Sequence, residues 1–175
     1  MWCVMHVKPG NEGRTEQFVD GLLGDKFHAR CFHLTRLRRK KYGGRWQTVE
    51  EQLLPGYVFI VTEQPELLYR EFKKVSGYGL LGGEEYVSRL EDEEADFIER
   101  IAGQGSGSMC QRGEIGLSYI RVENGNRITV LSGPLLFVKN QVKKIDFHRR
   151  VAEVETRLCG EKRVMYLGVE FEDAS

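Results

Sequence analysis

The sequence predicts an α+β protein, in which an α/β sandwich with an antiparallel sheet flanked by helices precedes a small β-barrel. Apolar residues recur at helical spacing in three segments of the first hundred residues, with β-type runs between them. Beyond residue 118 every apolar pattern alternates as in strands. Between the two parts lies AGQGSGSMCQRGE, a stretch typical of a linker. We therefore expect units over residues 1–103 and 119–175, joined by a linker over residues 104–118.

The elements of the N-terminal unit follow from its apolar pattern and its glycines. Gly43-Gly44 predicts the tip of a long hairpin, and Pro55-Gly56 stands at the entrance of the β-rich run YVFIV. The acidic start of the third helix suits the positive end of its dipole. In chain order we predict a strand over 2–8, a helix over 12–23, a hairpin over 28–53, a strand after Pro55-Gly56, a helix over 66–75, a strand over 77–83 and a helix over 91–101.

The C-terminal unit is predicted to be a small barrel of short strands. Residues 151–158 and 165–171 alternate apolar and polar side chains, which is the pattern of half-buried strands. Turn residues separate the strands at Asn124-Gly125, Ser132-Gly133-Pro134 and Cys159-Gly160. Such spacing favours a small β-barrel.

Composition excludes several classes of protein. The 175 residues are 41% hydrophobic and 30% charged, as in soluble globular proteins. No apolar run approaches the roughly 20 residues that cross a bilayer, and the N-terminus lacks a signal-peptide layout. We expect a cytoplasmic, bacterial, monomeric protein that does not bind membranes.

The cysteines and histidines are not expected to hold a metal or disulfides. The four cysteines lie far apart without a Cys-x-x-Cys pair, which argues against a disulfide framework in a cytoplasmic chain. Two spacings resemble ligand pairs, Cys3-x-x-His6 and His28-x-x-Cys31-x-His33. Both fall in predicted strands, where residues three apart point to opposite faces and cannot converge on one zinc ion.

No catalytic motif is present. The chain has no phosphate-binding glycine loop followed by Lys-Ser/Thr, no Gly-x-Ser-x-Gly and no His-Glu-x-x-His. We therefore expect neither enzymatic activity nor a cofactor.

Positive charge is clustered although the chain as a whole is neutral, with 26 bases and 26 acids. Residues 36–45 carry six bases and no acid, and residues 139–163 carry eight bases against four acids. Two basic clusters in a neutral chain indicate localised anion-binding surfaces.

The order of motifs resembles the NusG family of transcription elongation factors. The N-terminal motifs are Trp2 in an opening strand, then Pro55-Gly56-Tyr57-Val58-Phe59-Ile60, then Leu81-Gly82-Gly83. Three C-terminal motifs resemble the KOW module of that family: Ile128-Thr129-Val130-x-x-Gly133-Pro134, Val142-x-x-Ile145-Asp146 and Val151-Ala152-x-Val154. One departure is Phe137 and Asn140, where the family has glycines, so we expect a remodelled loop there.

The resemblance implies a surface that binds the clamp helices of RNA polymerase. Strand alternation places Tyr57 and Phe59 on one face, which either belongs to the core or forms this docking surface. A second helix would approach the opposite side of the polymerase cleft. The implied polymerase-binding residues are Leu54, Pro55, Tyr57, Phe59, Tyr69 and Arg70.

Within the family, residues 144–152 are similar to the LoaP branch of antiterminators, which implies recognition of an RNA hairpin in the nascent transcript. Clustered bases give this a physical basis, because neutralising phosphates releases counterions. Upstream DNA is a further expected partner of the basic hairpin, whose alternative role is a solvated surface. The implied RNA-binding residues are Lys143, Lys144, His148, Arg149, Arg150 and Arg157, and the implied DNA contacts are Arg38, Arg39, Lys40 and Lys41.

Two alternatives remain at this level. A housekeeping NusG would use its KOW module to bind a termination factor or a ribosomal protein. A ribosome-associated KOW protein would not contact polymerase, but it would not need the Trp2 strand or the Pro-Gly-Tyr-Val-Phe-Ile motif.

Overall fold

The computed structural model describes residues 1–23, 29–74, 87–102 and 113–172, and in these residues the chain has mixed α and β structure. No helix in these ranges is long and apolar enough to span a lipid bilayer. The strand predicted over 77–83 lies outside the described residues. The helices are α1 (Glu12–Leu23), α2 (Pro65–Lys74) and α3 (Asp92–Ala102). The strands are β1 (Trp2–His6), β2 (Arg30–Phe32), β3 (Thr35–Tyr42), β4 (Arg45–Gln52), β5 (Tyr57–Val61), β6 (Val87–Arg89), β7 (Glu114–Ile115), β8 (Ser118–Glu123), β9 (Arg127–Ser132), β10 (Val142–Asp146), β11 (Val151–Leu158) and β12 (Glu161–Phe171).

The N-terminal unit is built on a four-stranded sheet in the order β2-β5-β1-β6. Its strands pair antiparallel, with Val4 opposite Phe59 in the register of β1 and β5. Helices α1 and α2 pack on one face, where Val19 and Leu68 join Met5 and Ile60 in a buried cluster. Because side chains alternate along a strand, Val4 and Phe59 point to the other face.

Helix α1 begins where the sequence predicts because Glu12 fixes its start. The Gly56 N–H donates to Glu12 Oε1 at 2.6 Å, and the Gly10 N–H and the Gln52 amide donate to Oε2 at 2.8 and 2.9 Å. Burial raises the pKa of the Glu12 carboxyl, but these hydrogen bonds outweigh burial and lower the pKa overall. The helix start is thereby joined to the Pro55-Gly56 turn.

The basic segment forms the predicted hairpin, β3 and β4, with Gly43 (φ 55°) and Gly44 (φ 80°) at its tip. Left-handed angles at both positions are those of a type I′ turn. Strand β7 adds to β3 in parallel, and Ile115 on β7 is fully buried. Within the stretch predicted to be a linker, residues 114–115 therefore form a strand, because the apolar side chain of Ile115 gains more by burial than by exposure.

The C-terminal unit, residues 118–172, is a curled five-stranded half-barrel in the order β10-β11-β12-β8-β9. Strands β11 and β12 form a regular hairpin with its turn at the predicted position, where Cys159 (φ 54°) and Gly160 (φ 76°) are left-handed. The predicted barrel is incomplete, since among the described residues β9 and β10 are not hydrogen-bonded to each other. Two short 3-10 helices, Pro134–Phe137 and Lys139–Gln141, separate these strands in place of a tight turn.

The two units share one hydrophobic core. On the N-terminal side, the ring of Trp2 lies edge-on to Phe32, with centroids 5.7 Å apart, and Phe32 stacks on Phe59 at 5.8 Å. The same buried cluster continues through Leu158 and Met165 of the C-terminal unit. The sheet face that α1 and α2 leave open thus belongs to a core that contains residues of α3 and of the half-barrel.

Candidate functional site

The apolar face implied to bind polymerase belongs to the core that the two units share. Phe59 is fully buried, Leu54 is 9% exposed, and both belong to the shared core. Tyr57 is half-buried, with the His6 ring 4.9 Å away and the guanidinium carbon of Arg163 5.9 Å from its ring centroid. Pro55 is exposed. Phe59 therefore lies in the core, and Tyr57 packs against it beside Arg163 of the half-barrel.

The other two implied polymerase contacts lie elsewhere. Tyr69 and Arg70 are on α2, which packs on the opposite face of the sheet. Tyr69 is half-buried and hydrogen-bonded to the thiol of Cys3. Arg70 is exposed, with its Nε 3.6 Å from Glu71 Oε1. The structure therefore does not bring these residues together with Leu54 and Phe59.

A close backbone approach joins the basic hairpin to the half-barrel. A Cβ at Gly168 on β12 would lie 2.2 Å from the Leu37 carbonyl oxygen and 3.1 Å from Arg38 Cα, both on β3. Arg36 also donates a hydrogen bond to the carbonyl oxygen of Tyr166. Only glycine allows the strands of the two units to come this close.

Beside this approach, four side chains form what we call the Glu170 cluster: Arg39, Trp46, Arg150 and Glu170. Glu170 Oε2 lies 2.5 Å from Arg39 Nε, and Oε1 accepts a hydrogen bond from Arg150 at 2.5 Å. The Arg150 guanidinium carbon is 3.8 Å from the centroid of the Trp46 ring. Arg39 and Trp46 belong to the N-terminal hairpin and the other two to the half-barrel, so the cluster links the units through charge and cation–π contact.

A second polar link connects α3 to the turn between β11 and β12. Glu94, which is buried, accepts a hydrogen bond from the Gly160 N–H at 2.9 Å and one from the Glu91 N–H at 3.2 Å. Next to it, Cys159 Sγ lies 3.9 Å from His6 Nε2. Burial raises the pKa of the Cys159 thiol and lowers the pKa of His6, so both groups favour their neutral forms and the thiol is not activated as a nucleophile.

The implied DNA contacts are largely neutralised within the protein. Arg38 and Lys40 both pair with Glu51 on β4, and Arg39 pairs with Glu170. Burial raises the pKa of the Glu51 carboxyl, but Lys40 and Arg36 outweigh burial and lower the pKa overall. Lys41, by contrast, is exposed near the hairpin tip.

The implied RNA contacts fall into two groups. Lys143, Lys144, His148 and Arg149 are exposed on β10 and the turn that follows it. Arg150 is held in the Glu170 cluster, and Arg157 donates to the Gly160 carbonyl at the far end of β11. Lys144 and Arg149 line one shallow depression of about 90 Å³ together with Tyr166, 5.8 Å from the Arg149 guanidinium carbon. The first group forms one exposed basic surface.

The structure adds two bases that the sequence did not single out. Arg127 and Lys139 line a groove of about 420 Å³ together with Lys143 and Lys144. We call this groove the seam, because it lies between β9 and β10, the two outer strands of the half-barrel. No local signal in the sequence indicates this neighbourhood, since it depends on how the sheet curls.

The buried thiols do not converge on a metal site. Cys3 and Cys31 lie in the core beneath α1 and α2, where burial raises the pKa of both. Within the described ranges no three side chains of His, Cys, Asp or Glu are placed to share a metal ion. His28 lies outside those ranges.

No protein-family model matches the chain, and no curated protein matches it.

Proposed function

We propose that this protein is a specialised NusG-type transcription factor that binds the clamp helices of RNA polymerase and recognises an RNA hairpin in the nascent transcript. The observation that carries the proposal is the composition of the two surfaces. An apolar sheet face containing Leu54 and Phe59 shares its core with α3 and the half-barrel, and the half-barrel carries exposed bases.

The apolar face suits a helical partner. Leu54, Tyr57 and Phe59 extend along one strand and its entry turn, and they pack in the cluster that contains α3 and half-barrel residues, not in the one beneath α1 and α2. If the half-barrel moves away, an apolar surface becomes available, and docking of helices on such a surface is a common mode of recognition. Polymerase binding therefore requires the units to separate.

The basic surface suits RNA and remains accessible while the units are closed. Lys144 and Arg149 are exposed, and Tyr166 beside them offers an aromatic ring. Closely spaced phosphates of an RNA hairpin would bind these cations with release of counterions. Because this surface faces outward and the apolar face is covered, RNA recognition precedes docking on the clamp in the proposed sequence of events.

Once docked, the N-terminal unit holds the clamp closed and disfavours paused and terminating states of the polymerase. The C-terminal unit stays near the emerging transcript at a high effective concentration, set by its connection to the N-terminal unit. Selectivity for a particular transcript then comes from the RNA hairpin, so that affinity for either partner alone can be modest.

In vitro transcription with a purified bacterial polymerase tests the proposal. The template carries a leader hairpin upstream of a terminator, and a matched template carries a scrambled leader. We expect the protein to increase read-through on the first template and Lys144→Ala/Arg149→Ala to remove the increase, while Lys162→Ala keeps it. If read-through is unchanged on both templates, the proposal fails. An increase that ignores the leader would instead favour the housekeeping type, in which the C-terminal unit binds a protein.

A further inference from the structure

The seam combines two features that point to a ligand of its own. Strands β9 and β10 are the outer strands of the five-stranded sheet, each paired on one side only within the described residues. An outer strand presents unpaired backbone N–H and C=O groups along its free edge. Here residues of both outer strands line one groove of about 420 Å³.

The lining of the seam is apolar at its base and cationic at its rim. Ile128, Val130, Val142 and Ile145 are half-buried and pack against the core from below. The rim carries four bases and no acid. Lys143 lies 3.7 Å from Glu155, and the other three have no ion-pair partner in the described part of the chain. The rim bases are Arg127, Lys139, Lys143 and Lys144.

We propose that the seam binds an extended acidic peptide of a partner protein, which adds to the half-barrel as a strand between β9 and β10. Alternate side chains of such a strand would point to the apolar base, and the acidic ones between them would meet the bases of the rim. The backbone of the peptide would take the hydrogen bonds that the two free edges leave unmade.

The strand directions define the geometry of the added strand. Strands β10 and β12 run parallel, since each is antiparallel to β11, and β8 is parallel to β12 while β9 is antiparallel to β8. Strands β9 and β10 therefore run in opposite directions across the seam. An inserted peptide is antiparallel to one of them and parallel to the other.

A peptide fits the seam better than RNA does. The lining residues include no aromatic side chain on which a base could stack. Free strand edges and an apolar base have no counterpart in phosphate recognition. The RNA surface proposed above centres on Lys144, Arg149 and Tyr166, and Lys144 also lines the seam. The inference goes beyond the transcription proposal, because it concerns a protein partner rather than polymerase or RNA.

The test uses the full chain labelled with ¹⁵N and an eight-residue probe peptide of alternating glutamate and valine. We expect the amide signals of residues 127–130 and 142–145 to shift together and their hydrogen exchange to slow. Two control peptides separate the contributions of charge and of backbone hydrogen bonds to binding. A peptide of alternating lysine and valine tests the contribution of charge. The glutamate–valine peptide methylated at every second backbone nitrogen tests strand pairing. Both controls are expected to bind at least roughly tenfold more weakly.

A matched pair of variants locates the site. Lys139→Glu/Lys143→Glu is expected to weaken binding of the probe peptide by roughly tenfold or more. Lys41→Glu/Arg45→Glu makes the same charge change on exposed residues of the hairpin, and it should leave the affinity for the peptide unchanged. The proposal is overturned if neither strand responds, if the methylated peptide binds as well as the parent, or if both variants behave alike. It is equally overturned if an eight-nucleotide uridine RNA shifts both strands and the peptide does not, because the seam would then be an RNA site.

Discussion

The guanidinium of Arg150 stacks on the ring of Trp46, with its central carbon 3.8 Å from the ring centroid. The two residues belong to different units, and Glu170 holds Arg150 in place from the other side at 2.5 Å. A residue that the sequence assigns to RNA binding is thus used to hold the half-barrel on the basic hairpin. The closed arrangement consequently depends on a small number of identifiable contacts.

Replacing Glu170 with Gln should loosen the link between the units. The substitution leaves Arg39 and Arg150 without their carboxylate partner in a setting where their side chains are 23% and 18% exposed. We expect the free energy of unfolding to fall by about 2 kcal/mol, measured by urea denaturation.

Glu172→Gln is the matched control. Glu172 pairs with Arg121 at the surface, with side chains 44% and 52% exposed. We expect a change below about 0.5 kcal/mol there. Equal effects of the two substitutions would contradict a specific role for the Glu170 cluster.

Glu12 should make stability depend on acid pH. Its pKa is lowered from 4.5 in the folded protein, so its contribution is present above pH 4.5 and is lost as the pH falls through the folded pKa. Glu12→Gln should cost about 2 kcal/mol at pH 7, because a charged acceptor of three hydrogen bonds is lost.

Urea titrations between pH 3 and pH 7 check this expectation. The variant should show a shallower loss of stability below pH 4.5 than the parent. Glu66→Gln, at an exposed position in the first turn of α2, should change stability by less than about 0.5 kcal/mol. A parallel pH profile for parent and Glu12→Gln would show that Glu12 does not supply the dependence.

Local signals predict much of the fold. Helix α1 has the predicted bounds because the apolar stripe from Phe18 to Leu23 follows a strong start at Glu12. The turns at Gly43-Gly44 and Cys159-Gly160 are confirmed, since left-handed backbone angles leave a clear mark in sequence. These elements are determined by residues within a few positions of each other.

Contacts between distant segments could not be predicted in the same way. In the sequence, Ile115 stands near the end of the predicted linker. Its strand forms only because β3 lies beside it. Glu94 resembles an ordinary helix-start carboxylate, yet it accepts a hydrogen bond from Gly160, 66 positions away. Runs of basic residues in the sequence show where positive charge is dense. They do not show that Arg150 is hydrogen-bonded to Glu170 whereas Lys139 is exposed.

RNA binding should depend on Lys144 and Arg149 and should be sensitive to salt. Each phosphate neutralised lowers the slope of log affinity against log salt by about 0.7 to 0.9. Lys144→Ala/Arg149→Ala is therefore expected to weaken binding of the leader hairpin at low salt and to flatten the slope by about 1 to 2.

Fluorescence anisotropy across a salt series measures both quantities. Lys162→Ala removes an exposed base that pairs with Glu155 and should leave the slope unchanged. An unchanged slope in the double variant would place the RNA contacts outside this surface.

Gly168→Ala should open the two units. The added methyl group would meet the Leu37 carbonyl oxygen at 2.2 Å, so β12 must move away from β3. We expect a loss of about 1 to 3 kcal/mol of stability. Gly21→Ala is the control, since a Cβ there meets nothing within 4 Å, and it should stabilise α1 by about 0.5 to 1 kcal/mol.

The polymerase-binding face is tested most directly by the affinity of a labelled clamp-helix fragment of bacterial polymerase for the parent, Gly168→Ala and Gly168→Ala/Tyr57→Ala. We expect weak binding by the parent, at least roughly tenfold tighter binding by the opened variant, and loss of that gain when Tyr57 is removed. Binding that is equal for all three proteins, or absent even in the opened variant, would contradict a polymerase-binding face beneath the half-barrel.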